Sequence, residues 1–474
     1  MKLTIEEIVT ACGGRLVISG DVKNDTNVTS VVLDSRKVTQ GGVFIATPGE
    51  RVDGHKFVTS AFEQGVVLAV VSKTPEQFSE ETKELVTGWG SYVLVEDTLH
   101  ALREIAKYYR QKLNLKVIGI TGSSGKTSTK EFIAAVLSEK YKVLKTEGNF
   151  NNEIGVPLTL LRIREEHQAA VVEMGISDFG EMHRLSKMAK PDICVITNIG
   201  QSHLDNLKTR DGILKAKSEI FDYMAEDGEI CLNGEDDKLA GLSEIKGRKP
   251  HFFGFGNTAG QEVYAAEVEG HGLWGSDAVL RMEKDAVAIH VPLPGIHMVL
   301  NAAAAACVAR LMGLNAEQIA AGIEKVEPVN GRNHLIRMSQ YTLIDDCYNA
   351  NPDSMRKALD LLALADTEKV AILGDMFGLG EDNIQMLHAQ VGSYAVQRGI
   401  ERILCVGEQS RHMFEAACNS AEDTCQITHF PTQEALFEVL RKERREYVPD
   451  GSTVLVKASH AMEFEKVLEF LKQA

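Results

Sequence analysis

Short apolar runs recur along the chain, and most of them lead directly into polar or glycine-containing segments. Residues 116–120 are such a run. The turn Thr121-Gly122-Ser123-Ser124-Gly125-Lys126-Thr127-Ser128 follows, and then 129–140, where apolar positions fall at helical spacing. The pattern predicts a buried strand, a glycine-rich turn and a helix. Upstream, 3–12 reads as a helix, 31–33 and 43–46 as short strands, 57–64 as a helix leading into a strand at 66–71, and 97–113 as a helix. Downstream, strands at 169–173, 193–198 and 229–233 alternate with helices, one of them at 212–224. Such alternation predicts a mainly parallel sheet covered on both faces, with ligands outside the C-terminal ends of its strands. Residues 296–312 are apolar and rich in alanine, interrupted by His297, Asn301 and Arg310, which suits a packed helix better than a bilayer span. After Gly331, strands at 341–345, 370–373, 403–406 and 453–456 each run into polar residues, and a helix opens near Met355. A second open α/β sheet is expected there.

With 474 residues the chain exceeds one core of usual size. The expected organisation is α/β in three domains, at 1–95, 96–328 and 329–474. A net charge of −16 argues against a general nucleic-acid or anionic-membrane binder. The eight cysteines form no Cys-x-x-Cys pair, so neither a zinc site nor a disulfide framework is expected. Glu6 and Glu7 stand where a secretory signal would need an apolar stretch, and a cytoplasmic, monomeric protein without membrane insertion is expected.

The turn 121–128 has the chemistry of a phosphate cradle. Glycines let successive N–H groups point into one concavity, the helix N-terminus adds partial positive charge, Lys126 can reach β- and γ-phosphates, and the Thr127 hydroxyl can ligate Mg²⁺. Ile120 stands where the strict P-loop has its first glycine. Glu173 closes an apolar strand, where a carboxylate can hold Mg²⁺ or simply cap a helix. His203 and Lys217, by residue type alone, read as a loop histidine with a structural hydrogen bond and a solvated helical lysine. The amides Asn149, Asn151 and Asn152 precede an apolar helix and can cap it or face a polar substrate. Asn301 can pair with a base edge or cap a helix. The segments carrying Ser35 and Arg36, and Asp53 and His55, fall between elements, where binding residues tend to sit, though plain surface turns read equally well. Asp346, Asn349 and Asn351 crowd a strand-to-helix junction beyond the needs of a turn.

Together these stretches resemble the Mur ligases over nearly the whole chain. The motifs are 34–36, 53–55, 121–128, 149–157, 173–175, 198–203, Asn301 with its alanines, Gly331-Arg332, 346–354 and 373–376. The 348–352 and 374–376 segments resemble the dipeptide-adding branch, and the Asp-Asn-Pro-Arg signature of the diaminopimelate- or lysine-adding branch is absent. Gly378, Ala458 and His460 depart from the commoner residues of the family. The resemblance implies an N-terminal domain for a UDP-sugar, a central ATPase and a Rossmann-like third domain. It implies ATP, bound by Thr121–Ser128, Asn301, Arg332 and Asp346. It implies one or two Mg²⁺, held by Thr127, Glu173, His203 and Lys217, the last as a carbamate. Lys126, His203, Lys217 and Arg332 would serve catalysis. Ser35, Arg36, Asp53, His55, Asn149, Asn151, Asn152, Asn349 and Asn351 would contact substrates. The implied activity joins D-alanyl-D-alanine to UDP-N-acetylmuramoyl-tripeptide, for peptidoglycan precursors. The third-residue-adding branch and folylpolyglutamate synthetase are the nearest alternatives, and a nucleotide-dependent binding protein is a more distant one.

Overall fold

Three larger β-sheets follow one another along the chain, each built around parallel strands. The computed structural model describes residues 1–473 apart from 21, 50–51, 80–85, 257–259, 284 and 422–424. Glu50 and Arg51 of the turn before His55 therefore lie outside the described residues.

The N-terminal sheet orders its strands Arg15–Val17, Tyr92–Leu94, Leu68–Val71, Val43–Ile45 and Val31–Val32, with only the first pair antiparallel. Its strand interiors are nearly all Val, Leu, Ile and Ala, as expected of a sheet covered on both faces.

The central sheet has nine strands. Lys116–Thr121 lies between Ala169–Glu173 and Ile193–Ile196. From it the chain builds first toward the edge strand Val143–Lys145 and then toward Glu229–Asn233 and His251–Phe255 on the other side. The order of construction thus reverses at the C-terminal end of Lys116–Thr121, where open α/β sheets bind ligands. The remaining strands depart from the expected βα rhythm. Val263–Gly270, Ser276–Met282 and Asp285–Val291 extend the sheet by two antiparallel pairings. Alanines 302–306 of the helix Ile296–Leu311 are all buried, in one core with Phe132, Ile133 and Val136 of the helix Lys126–Leu137. Small side chains let the two helices pack closely.

The C-terminal sheet runs His334–Arg337, Thr342–Asp345, Thr453–Lys457, Lys369–Gly374, Arg402–Val406 and Gln426–Phe430, antiparallel only at its first pair. No helix of the described residues is long and apolar enough to cross a membrane. The eight cysteines are free.

Two helix starts differ from the sequence reading. The helix after the glycine-rich turn begins at Lys126, not 129, because Gly125 adopts a left-handed conformation (φ 78°) and serves as its N-cap. The helix expected near Met355 begins at Pro352, capped by Asn351, since proline's fixed φ suits a first helical position.

Candidate active site

A cavity of about 650 Å³ opens at the reversal point of the central sheet, closed on its far side by the C-terminal sheet. Its floor is the turn after Thr121. Gly122 has φ +150°, and a Cβ there would meet Thr197 Oγ1 at 1.9 Å, so only glycine fits. The turn is pinned from the neighbouring strand end. Thr197 Oγ1 donates to Ser124 O at 2.6 Å, Asn198 Nδ2 to the same oxygen at 2.9 Å, and Ser124 N to Asn198 Oδ1 at 3.0 Å. Lys126 Nζ donates to Gly122 O at 2.8 Å. Burial lowers the Lys126 pKa, Arg332 adds to that, and Glu173 opposes it. An ammonium so placed favours an anionic ligand.

Glu173 ends its strand 1% exposed. Its Oε1 accepts from Thr127 Oγ1 at 3.2 Å and from Asn151 Nδ2 at 2.9 Å, whereas its buried Oε2 has no hydrogen-bond partner and has the Lys130 ammonium 4.0 Å away. A buried carboxylate oxygen with no hydrogen bond and a cation only at that distance can still take a closer cation. His203 has left-handed backbone angles (φ 59°) and opens onto the cavity, with no hydrogen bond or ion pair through its ring among the described residues. The structural hydrogen bond expected of a loop histidine is therefore missing. Its ring edge reaches solvent, yet desolvation by the walls and the charges of Lys217 and Lys126 lower its pKa to about 4, which keeps the imidazole neutral and able to ligate. Lys217 is 1% exposed rather than solvated. Its side-chain amine forms no ion pair or hydrogen bond among the described residues, and burial, then Lys126, pushes its pKa far down.

Magnesium fits this donor set. Mg²⁺ takes one or two protein carboxylates and completes its shell with phosphates and water, which matches the Glu173 carboxylate beside the Thr127 hydroxyl, with His203 lining the same cavity.

Asn301 lies inside its helix and does not cap it. Its Oδ1 accepts from Thr129 Oγ1 at 3.1 Å, and it lines the cavity near Gly125. From the C-terminal sheet come Arg332 and Asp346. Asp346 is held by Lys457, whose Nζ lies 2.5 Å from Asp346 Oδ2 and donates to Asn349 O at 2.9 Å. Burial raises the Asp346 pKa, and Lys457 and Arg332 oppose that shift.

The cavity thus gathers Ser123, Ser124, Gly125, Lys126, Thr127, Ser128, Asn151, Asn152, Glu173, His203, Asn301, Arg332, Asp346, Asn349 and Asn351. Asn152 caps the following helix through Gly155 N (2.9 Å), and Asn351 caps its own through Ser354 N (2.8 Å). Thr121, Gly122 and Lys217 lie beneath the lining, and Asn149 is exposed outside it. Ser35, Arg36, Asp53 and His55 sit instead at the C-terminal ends of the N-terminal sheet's parallel strands. Arg36 pairs with Asp34 at 2.9 Å, and Asp53 with Lys73 at 2.8 Å. His55 is fully buried; Nδ1 lies 2.6 Å from Asp53 Oδ1, and Nε2 accepts from Ser72 N at 2.9 Å. Its ring braces Asp53 and has no face open to a ligand.

Sequence reasoning passed over Lys457, Tyr348, Lys357 and Asn333, all of which line the cavity. Lys457 carried the same signal as Glu173, a charged residue closing an apolar strand.

A glycine-bounded cradle at a sheet reversal, an unsatisfied carboxylate opposite, and cations from a second α/β sheet define a nucleotide-using enzyme. Three family models match: "Mur ligase family, catalytic domain" over 27–110, "Mur ligase middle domain" over 120–309 and "Mur ligase, glutamate ligase domain" over 331–460. The chain is 34% identical over 474 residues to the UDP-N-acetylmuramoyl-tripeptide–D-alanyl-D-alanine ligase of Bacillus subtilis, covering 99% of this chain and 98% of that protein. The Escherichia coli ligase of the same name is 33% identical, covering 96% and 97%. A crystal structure of MurF from Acinetobacter baumannii superposes with a TM-score of 0.87 at 32% identity, covering 100% of this chain and 99% of that one. MurF from Thermotoga maritima, in complex with ADP, gives 0.77 at 26%, covering 94% and 97%. The chain belongs to the Mur ligase family and is an ATP-dependent ligase.

Proposed function

We propose that this ligase joins D-alanyl-D-alanine to UDP-N-acetylmuramoyl-tripeptide, with ATP as the activating substrate. One observation carries the reading: Lys126, Glu173 and Arg332, from two sheets, converge on one cavity. The full-length relatives named for that reaction support it.

A carboxylate is a poor acyl donor because its leaving group would be oxide. Transfer of the γ-phosphoryl group to the peptide carboxylate makes an acyl phosphate, and the dipeptide amine then displaces phosphate through a tetrahedral intermediate. The chain's part is positioning and charge neutralisation. The N–H groups of the turn 122–127 and the Lys126 ammonium hold the phosphates in line. Arg332 approaches from the C-terminal side, where charge accumulates on the transferring group. Asn301 would pair with a base edge, and Asp346 would approach the nucleotide from the C-terminal sheet. Glu173, Thr127, His203 and a carbamylated Lys217 would hold one or two Mg²⁺. Bound Mg²⁺ would neutralise charge on the phosphate oxygens. Lys217 suits carbamylation because burial lowers its pKa and so raises the share of uncharged, nucleophilic amine. The three domains follow the sheets, 1–95 receiving the UDP-sugar around Arg36 and Asp53.

Phosphate release tests the reading. UDP-N-acetylmuramoyl-tripeptide with D-alanyl-D-alanine and ATP should release phosphate, and omission of the dipeptide should stop it. Release with folate and glutamate instead would transfer the assignment to a folylpolyglutamate synthetase. Turnover indifferent to any amine would indicate a nucleotide switch.

A further inference from the structure

Arg332 presents an unusual combination. Its side chain is half-buried, it lines the cavity near Lys126, and its guanidinium forms no hydrogen bond or ion pair among the described residues. A guanidinium is normally fixed by a carboxylate, which takes two of its five N–H donors and cancels much of its charge. Two carboxylates at the end of the neighbouring strand are otherwise engaged: Asp345 Oδ2 accepts from Gly331 N at 2.8 Å, and Asp346 pairs with Lys457. What Arg332 does touch is the face of Tyr348, with Cζ 4.0 Å from the ring centroid. A ring face attracts the flat cation without using any N–H group, so all five donors remain for a ligand.

The backbone holds ring and guanidinium in register. Tyr348 N donates to Gly331 O at 3.2 Å. Gly331 has φ +74°, and a Cβ there would stand 3.0 Å from Tyr348 Cβ, so the turn presenting Arg332 is pressed directly against the tyrosine. On the tyrosine's other flank His460 is 5.3 Å away between centroids, tilted by 33°. The Tyr348 hydroxyl has no hydrogen-bond partner among the described residues, so the ring itself makes the contact. We propose that Tyr348 is a positioning residue, whose aromatic face holds the Arg332 guanidinium ready for the transferring phosphoryl group while leaving its donors free.

This inference rests on the ligase reading, and the wild-type enzyme separates the two. If wild type shows no ATP- and dipeptide-dependent phosphate release, the reading fails and not the inference. With turnover established, Tyr348→Phe keeps the face and should retain kcat/KM for ATP within about twofold. Tyr348→Leu should lose roughly threefold to thirtyfold, the span of a cation–π contact from exposed to desolvated, with the KM for dipeptide unchanged. If the leucine variant does not fold, Tyr348→Met carries the same expectation. Adding Tyr348→Leu to Arg332→Ala should cost less than about twofold further, since the ring then has no cation to hold. Four results would overturn the proposal: an aliphatic variant equal to wild type, Tyr348→Phe falling as far as Tyr348→Leu, losses that multiply in the double variant, or a loss at Tyr348→Leu with none at Arg332→Ala.

Discussion

A lysine amine buried with no side-chain hydrogen bond or ion pair among the described residues is costly to keep protonated, and Lys217 is one. Its position makes sense if the group is not an ammonium. Carbamylation would turn it into an anion facing Lys126 and His203. Lys217→Ala should therefore lose most activity and regain part of it with millimolar to molar acetate or formate; an intact, folded variant with no recovery would count against the carbamate. Lys126→Ala should abolish ligation while leaving the fold intact, and retained turnover would remove the phosphate role of the turn. His297 offers a pH test. Burial, with Lys357 and Lys457, lowers its pKa from 6.5 to about 3. Between those values the unfolded chain binds a proton that the folded chain refuses, so this residue's contribution to stability falls as pH drops from about 6.5 and levels off below about 3. His297→Gln should flatten that part of the denaturation-midpoint profile; an unchanged slope would contradict it. At this scale residue type misled where burial decided. Lys217 and His203 looked ordinary by composition, and only the family resemblance raised them, because a solvated helical lysine and a sealed one have the same local sequence.

Among the elements, the strand, turn and helix at 116–137 were legible because three independent signals coincide: an apolar run, glycines and helical spacing. The helix start was misjudged by three residues, since nothing short of the backbone angle at Gly125 tells a turn residue from a first helical one. The antiparallel strands 263–291 were missed although Ser276–Met282 alternates strictly, with Ala278, Leu280 and Met282 inward and Asp277 and Arg281 outward. The signal was present, but the βα rhythm around it invited a different reading. The asparagines at 351 and 152 illustrate the remaining ambiguity: each serves a helix cap and also lines the cavity. Asn351→Ala should cost about 1 kcal/mol of stability through the lost cap. Chemical denaturation would show it, and an unchanged midpoint would free that side chain for another role.

For the whole molecule, the cavity exists because the C-terminal sheet closes on the central one, and specific side-chain contacts hold it there. Gln201 N donates to Asp353 Oδ2 at 3.1 Å, Asn333 Nδ2 approaches His297 Nε2 at 3.2 Å, and Leu273 of the turn Gly272–Trp274 packs into the core that contains Met355 and Ala358. Such long-range pairings leave no mark in local sequence, which is why Arg332 and Asp346 were placed beside the nucleotide by resemblance alone. A Cβ on Gly200 would stand 2.4 Å from Asp353 Oδ2. Gly200→Ala should therefore turn the Asp353 carboxylate away, break its hydrogen bond from Gln201 N and loosen the closure, lowering kcat by up to about tenfold, with a smaller effect on nucleotide affinity. Unchanged kcat would mean that this hydrogen bond is not needed for closure. The central claim, that the peptide carboxylate is activated by phosphorylation, is tested most directly by labelling that carboxylate with oxygen-18 and following the inorganic phosphate. One labelled oxygen per turnover should appear in phosphate; unlabelled phosphate alongside full amide formation would contradict the account.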